Sequence, residues 1–424
     1  MNQEIKERIK QIKNKIVPIG YKVINGNIVP QDYTQEFLGD IFEFYGALGI
    51  PREQLTDEGI EYLHYGDLHK YELNYISYNQ YCNKPKYNKN ILGNEHYLLK
   101  DGDVVFVDAS EDLEGTSKSA LINNPDNRFF ISGLHTFIGR PKNNNIEYNY
   151  RRYLTSAEYV KKQFYKLASG FKVYGVSRET IKKIYILHGN YDEQKRIAEI
   201  LMSWDKIITK QQQYIDKLRE QRKSILQKLL KPKENWKEIK LSEILNERKN
   251  YYIKDGTYNH VSLTINGITD KGEQYDRDFL VKDADKKYKI THMNDLCYNP
   301  ANLKFGVICI NRYGDAIFSP IYVTFEVNEK YDIDLMEAIV TSSDFIRKIR
   351  KFEEGTLYER QAVKSEDFLK GVILFPSDQK EIEKISSTIK LTNKNIKLQE
   401  KKLDLLELQR KAIQKLLLTG IIRV

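Results

Sequence analysis

Ile197, Leu201, Trp204, Ile208, Gln211, Ile215, Leu218, Arg222, Ile225 and Leu229 follow one another in alternating steps of four and three residues. Ile385, Ile389, Thr392, Ile396, Gln399, Leu403, Leu406, Arg410, Ile413 and Leu417 repeat those steps 188 positions later without a gap. This spacing places every member on one face of a long helix. Seven of the paired positions are apolar in both copies, and the shared polar interruptions fall on the same rungs, Gln211 with Gln399 and Arg222 with Arg410. So narrow a seam cannot bury itself, and the nearest matching partner is the other copy in the same chain. The pattern predicts a duplicated molecule built on a coiled-coil axle about 50 Å long. The four polar rungs are expected to set the register of the helix pair, because a buried polar position specifies alignment at some expense of stability.

Working outward, the repeat extends beyond the helices. Asp32-Tyr33 followed by Leu38 and Ile41 recurs as Asn235-Trp236 followed by Leu241 and Ile244, and both open a segment of globular character. Gly102-Asp103-Val104-Val105-Phe106 recurs as Asn294-Asp295-Leu296-Cys297-Tyr298, a turn feeding a strand. Thr155-Ser156-Ala157-Glu158-Tyr159 recurs as Thr341-Ser342-Ser343-Asp344-Phe345, a helix start with a Ser cap. Short β runs are expected over 104–107, 129–131, 307–310 and 322–327, and helical stretches over 156–167 and 335–352. A further strand, 184–187 or 372–375, leads into each long helix. Ile5, Ile9, Ile12 and Ile16 mark another short amphipathic helix that ends before Pro18.

The chain has 424 residues with 41% hydrophobic content, enough for two or more cores. A formal charge of +9, from 68 basic and 59 acidic residues, leans toward a polyanionic partner. Thirty tyrosines supply flat amphipathic surface for interfaces, or reflect AT-rich codon usage. Cys82, Cys297 and Cys309 form no even framework and no Cys-x-x-Cys pair, so neither disulfides nor structural zinc are expected. Met1 to Ile16 has no signal-peptide core, and no run approaches a membrane span, so a cytoplasmic protein is expected.

No catalytic constellation passes a spacing test. There is no G-x-G-x-x-G after a strand and no Walker loop. Tyr298-Asn299-Pro300-Ala301 lacks the second proline and the aromatic of an amino-methyltransferase loop, and reads as a strand-end turn. Pro125-Asp126 has no Glu-x-Lys near enough to build a nuclease site; the closest, Glu193-Gln194-Lys195, opens the first long helix. His64 with His69, and His292 with Cys297, lack companions at metal-ligand spacing. No enzyme activity and no bound cofactor are expected of this chain.

Glu193-Gln194-Lys195-Arg196-Ile197-Ala198, then Ile200-Leu201, Asp205 and Gln227-Lys228-Leu229-Leu230, resemble the central conserved region of type I restriction-modification specificity subunits. The terminal run from Gln409 to Val424 resembles that family's C-terminal signature, and Gly66-Asp67, Gly102-Asp103 and Trp236 to Leu241 fit its target recognition domains. Ser386 to Lys390 departs by lacking the Leu-x-x-x-Asp of the first copy, and Asp378-Gln379 sits one turn off the register of Glu193-Gln194.

The resemblance implies two α+β target recognition domains separated by two long antiparallel helices in a pseudo-two-fold arrangement. The expected division is residues 1–33 for the N-terminal helix and linker, 34–190 for the first recognition domain, and 191–234 for the central conserved helix. Residues 235–376 then form the second recognition domain and 377–424 the C-terminal conserved helix. It implies a non-catalytic subunit that reads a bipartite double-stranded DNA target, one domain per half-site. Two DNA methyltransferase subunits would dock on the helices, and restriction/translocase subunits would join them. S-adenosylmethionine, ATP and Mg are expected on those partners and none on this chain. The docking surface is expected on the outer helix faces, on the N-terminal helix and on Leu416 to Val424. Candidate DNA contacts are Lys118, Arg140, Lys172 and Tyr174 in the first domain and Lys304, Arg312, Tyr358, Arg360 and Gln361 in the second. Arg360 and Gln361 are the preferred base readers, and Lys172 and Lys304 the preferred phosphate contacts. A coiled-coil scaffold without DNA binding is the alternative.

Overall fold

Each half starts its central strand from a turn with a left-handed residue, Gly102 (φ 80°) and Asn294 (φ 71°), the two residue types that accept this conformation at least cost. The aspartate that follows, Asp103 or Asp295, is 1% exposed. It accepts from the backbone N–H three residues earlier, Lys100 at 2.8 Å and His292 at 2.7 Å. An arginine completes each turn, Arg140 on Asp103 at 2.8 Å and Arg248 on Asp295 at 2.9 Å. Burial pushes both carboxyls above their usual range, while these hydrogen bonds and arginines act in the opposite direction.

The structure, a computed structural model, describes residues 3–69, 74–81, 86–88, 95–170, 172–253, 256–271, 287–353 and 361–424. It divides into two units, residues 1–212 with 402–424, and residues 213–401. The first long helix, Tyr191–Leu229, and the second, Gln379–Leu418, each contribute to both units.

In the first unit the main sheet has the strand order Phe42–Tyr45, Thr136–Pro141, Val104–Val107, Ser119–Asn123, Tyr75–Ser77. The first three pairings are antiparallel and the last is parallel. In the second unit Leu245–Glu247, Val323–Val327, Leu296–Tyr298 and Ile308–Ile310 lie in the corresponding order, all antiparallel. The repeated sequence markers therefore correspond to repeated topology.

The long helices join the cores at opposite ends. In the first unit Ile197 and Leu201 of the first helix share a core with Leu417 and Leu418 of the second. In the second unit Leu226, Leu229 and Leu230 pack on the core that contains Ile385 and Ile389. The beginning of one helix thus packs with the end of the other, an antiparallel arrangement. Leu226 takes the place expected of Ile225, which is 36% exposed.

The expected helical stretch 335–352 is two helices, Ile333–Val340 and Ser343–Ile349, followed by a 3-10 turn. Ser342 separates them: its backbone is extended and its hydroxyl accepts from Phe345 N–H, which ends one helix and caps the next. The N-terminal helix spans Gln3–Lys13, so Ile16 lies beyond it and is 55% exposed. Among the described residues no helix is long and apolar enough to cross a membrane.

Candidate nucleic-acid interface

Three of the four candidates in the first unit converge on one corner. The strand Tyr174–Gly175 pairs with Ala109–Ser110, and the 3-10 turn Glu114–Ser117 delivers Lys118 beside them. Gly115 permits this close approach, since a Cβ there would stand 2.0 Å from Ser110 Oγ. Lys118 is half-buried, its carbonyl accepting from Val107 N–H at 3.1 Å and its Nζ donating to the His69 carbonyl at 3.1 Å. Lys172 is exposed and Tyr174 half-buried.

The corner also contains groups that sequence reasoning missed. Tyr65 has ring contacts with His69 at 6.1 Å and His135 at 5.2 Å. Burial holds the His69 and His64 imidazoles below their usual pKa, so they are neutral near pH 7, each ring nitrogen being either donor or acceptor. His135 has φ 59° and pairs with Asp108 at 3.1 Å, a backbone choice that no periodicity could reveal.

Arg140 lies apart, at the Asp103 end of the strand Val104–Val107, while Lys118 is bonded at the Val107 end. Its guanidinium donates to both Asp103 oxygens, at 2.8 and 3.1 Å, and to the Leu98 carbonyl at 2.8 Å. Its geometry is that of a strut within the fold, and a base contact would have to break these bonds.

In the second unit Lys304 and Phe305 protrude on the 3-10 turn Leu303–Phe305, which ends at Gly306 with φ 81°. Phe305 is 66% exposed and Lys304 Nζ stands 5.3 Å from its ring centroid. Val363 N–H donates to the Pro300 carbonyl at 3.2 Å, and Tyr298 Oη donates to the Val363 carbonyl at 3.0 Å. These bonds hold exposed Gln361 near the strand end that carries Lys304. Arg312 is committed elsewhere, to Asn294 at 3.0 Å and Asp334 at 2.7 Å. Tyr358 and Arg360 lie outside the described residues. Asn299 is buried and its Oδ1 accepts from Ala301 N–H at 3.1 Å, the geometry of a self-closed turn. Among the described residues no group of three or more His, Cys, Asp or Glu side chains could hold a metal ion.

The polar rungs behave as a repeated pair. Arg410 Nε donates to Asp205 at 2.9 Å within the first unit, and Arg222 Nε donates to Asn393 Oδ1 within the second. Asp205 and Asn393 are themselves counterparts at the 188-residue offset, so Ile389-x-x-x-Asn393 is the second copy of Leu201-x-x-x-Asp205. Asp205 also accepts from Tyr153 Oη at 2.9 Å and pairs with Arg152 at 3.4 Å. Gln211 is 8% exposed, and half-buried Gln399 reaches Asn395 at 3.5 Å. The offset also pairs Glu193 with Glu381. Arg423 binds Glu193 at 2.6 Å, and Lys233 binds Glu381 at 2.5 Å.

Residues 30–219 match the family model described as the type I restriction modification DNA specificity domain. That stretch is therefore a type I restriction-modification DNA specificity domain. A structure described as the structural basis of complex assembly and conformational transition of the type I R-M system is 11% identical, with 93% of this chain and 99% of that one covered and a TM-score of 0.54. The type I system S subunit from M. genitalium is 14% identical over 95% of this chain and 99% of that one, with a TM-score of 0.48. The HsdS subunit from Thermoanaerobacter tengcongensis is 12% identical over 93% and 98%, with a TM-score of 0.41. At these identities the likeness concerns fold alone. No curated protein matches the chain. With this DNA specificity domain the chain is a DNA-recognition protein.

Proposed function

We propose that this chain is the non-catalytic, sequence-reading subunit of a type I restriction-modification complex, with residues 34–190 reading one half of a split DNA target and 235–376 the other. The observation that carries the reading is the specificity-domain match over residues 30–219 in a chain whose second half repeats the same strand order. Two helices of constant length between two readers would make the unread gap part of the specificity. Duplicated helix faces offer near-equivalent seats to two identical methyltransferase subunits, which would carry S-adenosylmethionine, while restriction/translocase subunits would supply ATP and Mg chemistry.

The outer face of the second helix suits such docking, since Leu391 and Leu398 of the second unit stand seven residues apart at 69% and 53% exposure. The terminal segment suits it less. Leu417 and Leu418 are 1% and 3% exposed within the first unit's core, and Arg423 is tied to Glu193 and Asp32. Salt-titrated DNA binding by the chain assembled with its methyltransferase subunits tests the reading. A log-log slope of several ions supports it, and no salt-sensitive binding would leave the pure scaffold.

A further inference from the structure

The two units treat one strand edge differently. In the first, Tyr185–His188 pairs with Thr34–Phe37, and Leu38 N–H donates to the Ile184 carbonyl at 2.8 Å, which fixes the alternation. The peptide groups of Tyr185 and Leu187 therefore face away from that partner. Gln163 accepts from Tyr185 N–H at 3.0 Å and donates to its carbonyl at 2.9 Å. The Tyr159 hydroxyl accepts from Leu187 N–H at 2.7 Å and donates to its carbonyl at 3.3 Å. Two side chains from the helix Glu158–Leu167 thus stand where a third strand would bond.

In the second unit Val372–Pro376 pairs with Trp236–Lys240, and Leu241 N–H donates to the Gly371 carbonyl at 2.8 Å, so Val372 and Leu374 face outward. Counted from their N-caps, Ala157 and Ser342, buried Phe345 and Ile349 of the facing helix correspond to Val160 and Phe164, one residue off the register of the sequence repeat, which puts Asp344 and Lys348 where Tyr159 and Gln163 stand. Neither substitutes for a strand: Asp344 pairs with Arg347 at 2.7 Å. Among the described residues no hydrogen bond reaches the outward peptide groups of Val372 or Leu374. The edge opens instead on a cavity of about 890 Å³, with Trp236 and Phe345 among its apolar walls. Lys223, Lys231, Lys348 and Lys351 line it against Glu238 and Asp344, a positive balance.

We propose that this groove docks an extended acidic segment of a partner protein, which adds as a strand to the Val372–Leu374 edge. Strand addition draws affinity from main-chain bonds and selectivity from alternate side chains. An exposed, unblunted edge is the feature it requires. The lysines favour acidic residues on the incoming segment, and the apolar walls favour small aliphatic ones between them.

The test is fluorescence anisotropy of a labelled eight-residue peptide alternating Glu and Val, titrated with the full chain. Two control peptides carry N-methyl groups on every Val or on every Glu. Saturable binding is expected, weakened about tenfold or more by one of the two methylation patterns and by the double variant D344Y/K348Q, which rebuilds the plug of the first unit. Equal binding of both methylated peptides would overturn the proposal, as would undiminished binding to the double variant or no saturable binding. So would displacement of the peptide by random-sequence duplex DNA that the double variant binds correspondingly less tightly, since the groove would then be a nucleic-acid surface.

Discussion

Asp205 is the residue on which the helix pair and the first unit depend together. Its side chain is 5% exposed, with Arg152 at 7% and Arg410 at 19% around it. Removing one partner of a buried pair leaves charge uncompensated, so Asp205→Ala is expected to destabilise the first unit by about 3–5 kcal/mol. Asn393→Ala, the neutral counterpart, is expected to cost about 1 kcal/mol. The two tryptophans, Trp204 and Trp236, lie in different units, so urea unfolding of the Trp236→Phe background follows the first unit through Trp204 and that of the Trp204→Phe background follows the second through Trp236. Equal losses at the two positions would contradict the assignment. Cys297 and Cys309 give a second residue-scale outcome. Burial pushes the Cys309 thiol up to about 12 and Cys297 higher still. A raised thiol pKa means that stability is fully present below the ordinary thiol value and is lost as pH rises through the folded one. Both should resist iodoacetamide at about pH 9 until urea unfolds the chain, as mass mapping would show. Among the DNA candidates, Gln361→Ala is expected to lose about 1–3 kcal/mol on the cognate half-site only. Lys172→Ala and Lys304→Ala should instead weaken all sequences alike and flatten the salt slope by about one unit each in binding titrations.

At the scale of elements, the long helices were the most legible part of the chain, because a 4-3 stripe over 33 residues has no competing interpretation. The strand at Val104–Val107 was equally plain, an apolar run behind a Gly-Asp turn. The break between Ile333–Val340 and Ser343–Ile349 was harder, since apolar spacing continues across Ser342 and only the cap geometry ends the helix. The terminal segment was ambiguous for a related reason: a helix end rich in leucine looks alike whether it meets a partner or its own core. Leu417 and Leu418 meet the core, so deleting Leu416–Val424 is expected to cost about 2–5 kcal/mol for each buried leucine and to lower the first unit's unfolding midpoint as well as any assembly. Leu398→Asp on the exposed face separates the two effects. It should impair co-purification with methyltransferase subunits while leaving the urea midpoint within about 0.5 kcal/mol of the parent. Unchanged assembly would remove that face from the docking surface.

For the whole molecule, the duplication was readable because the turn before the central strand is written twice, as Gly102-Asp103 and Asn294-Asp295. The candidate reading surface was less so. Side chains such as Tyr65 and His135 reach their corner through a left-handed backbone and ring contacts between residues distant in sequence, which local patterns do not encode. Arg140, on a strand, and Arg312, in a loop, illustrate the converse, arginines whose donors are used inside the fold. The central claim is that each half reads its own part of the target while the helices hold the gap. Its most direct test is methylome sequencing of cells carrying a chimera in which residues 235–376 are replaced by the corresponding segment of a related subunit with a different target. The account predicts a methylated motif changed in one half only, with the same gap length. A motif altered in both halves, or in its gap, would contradict it.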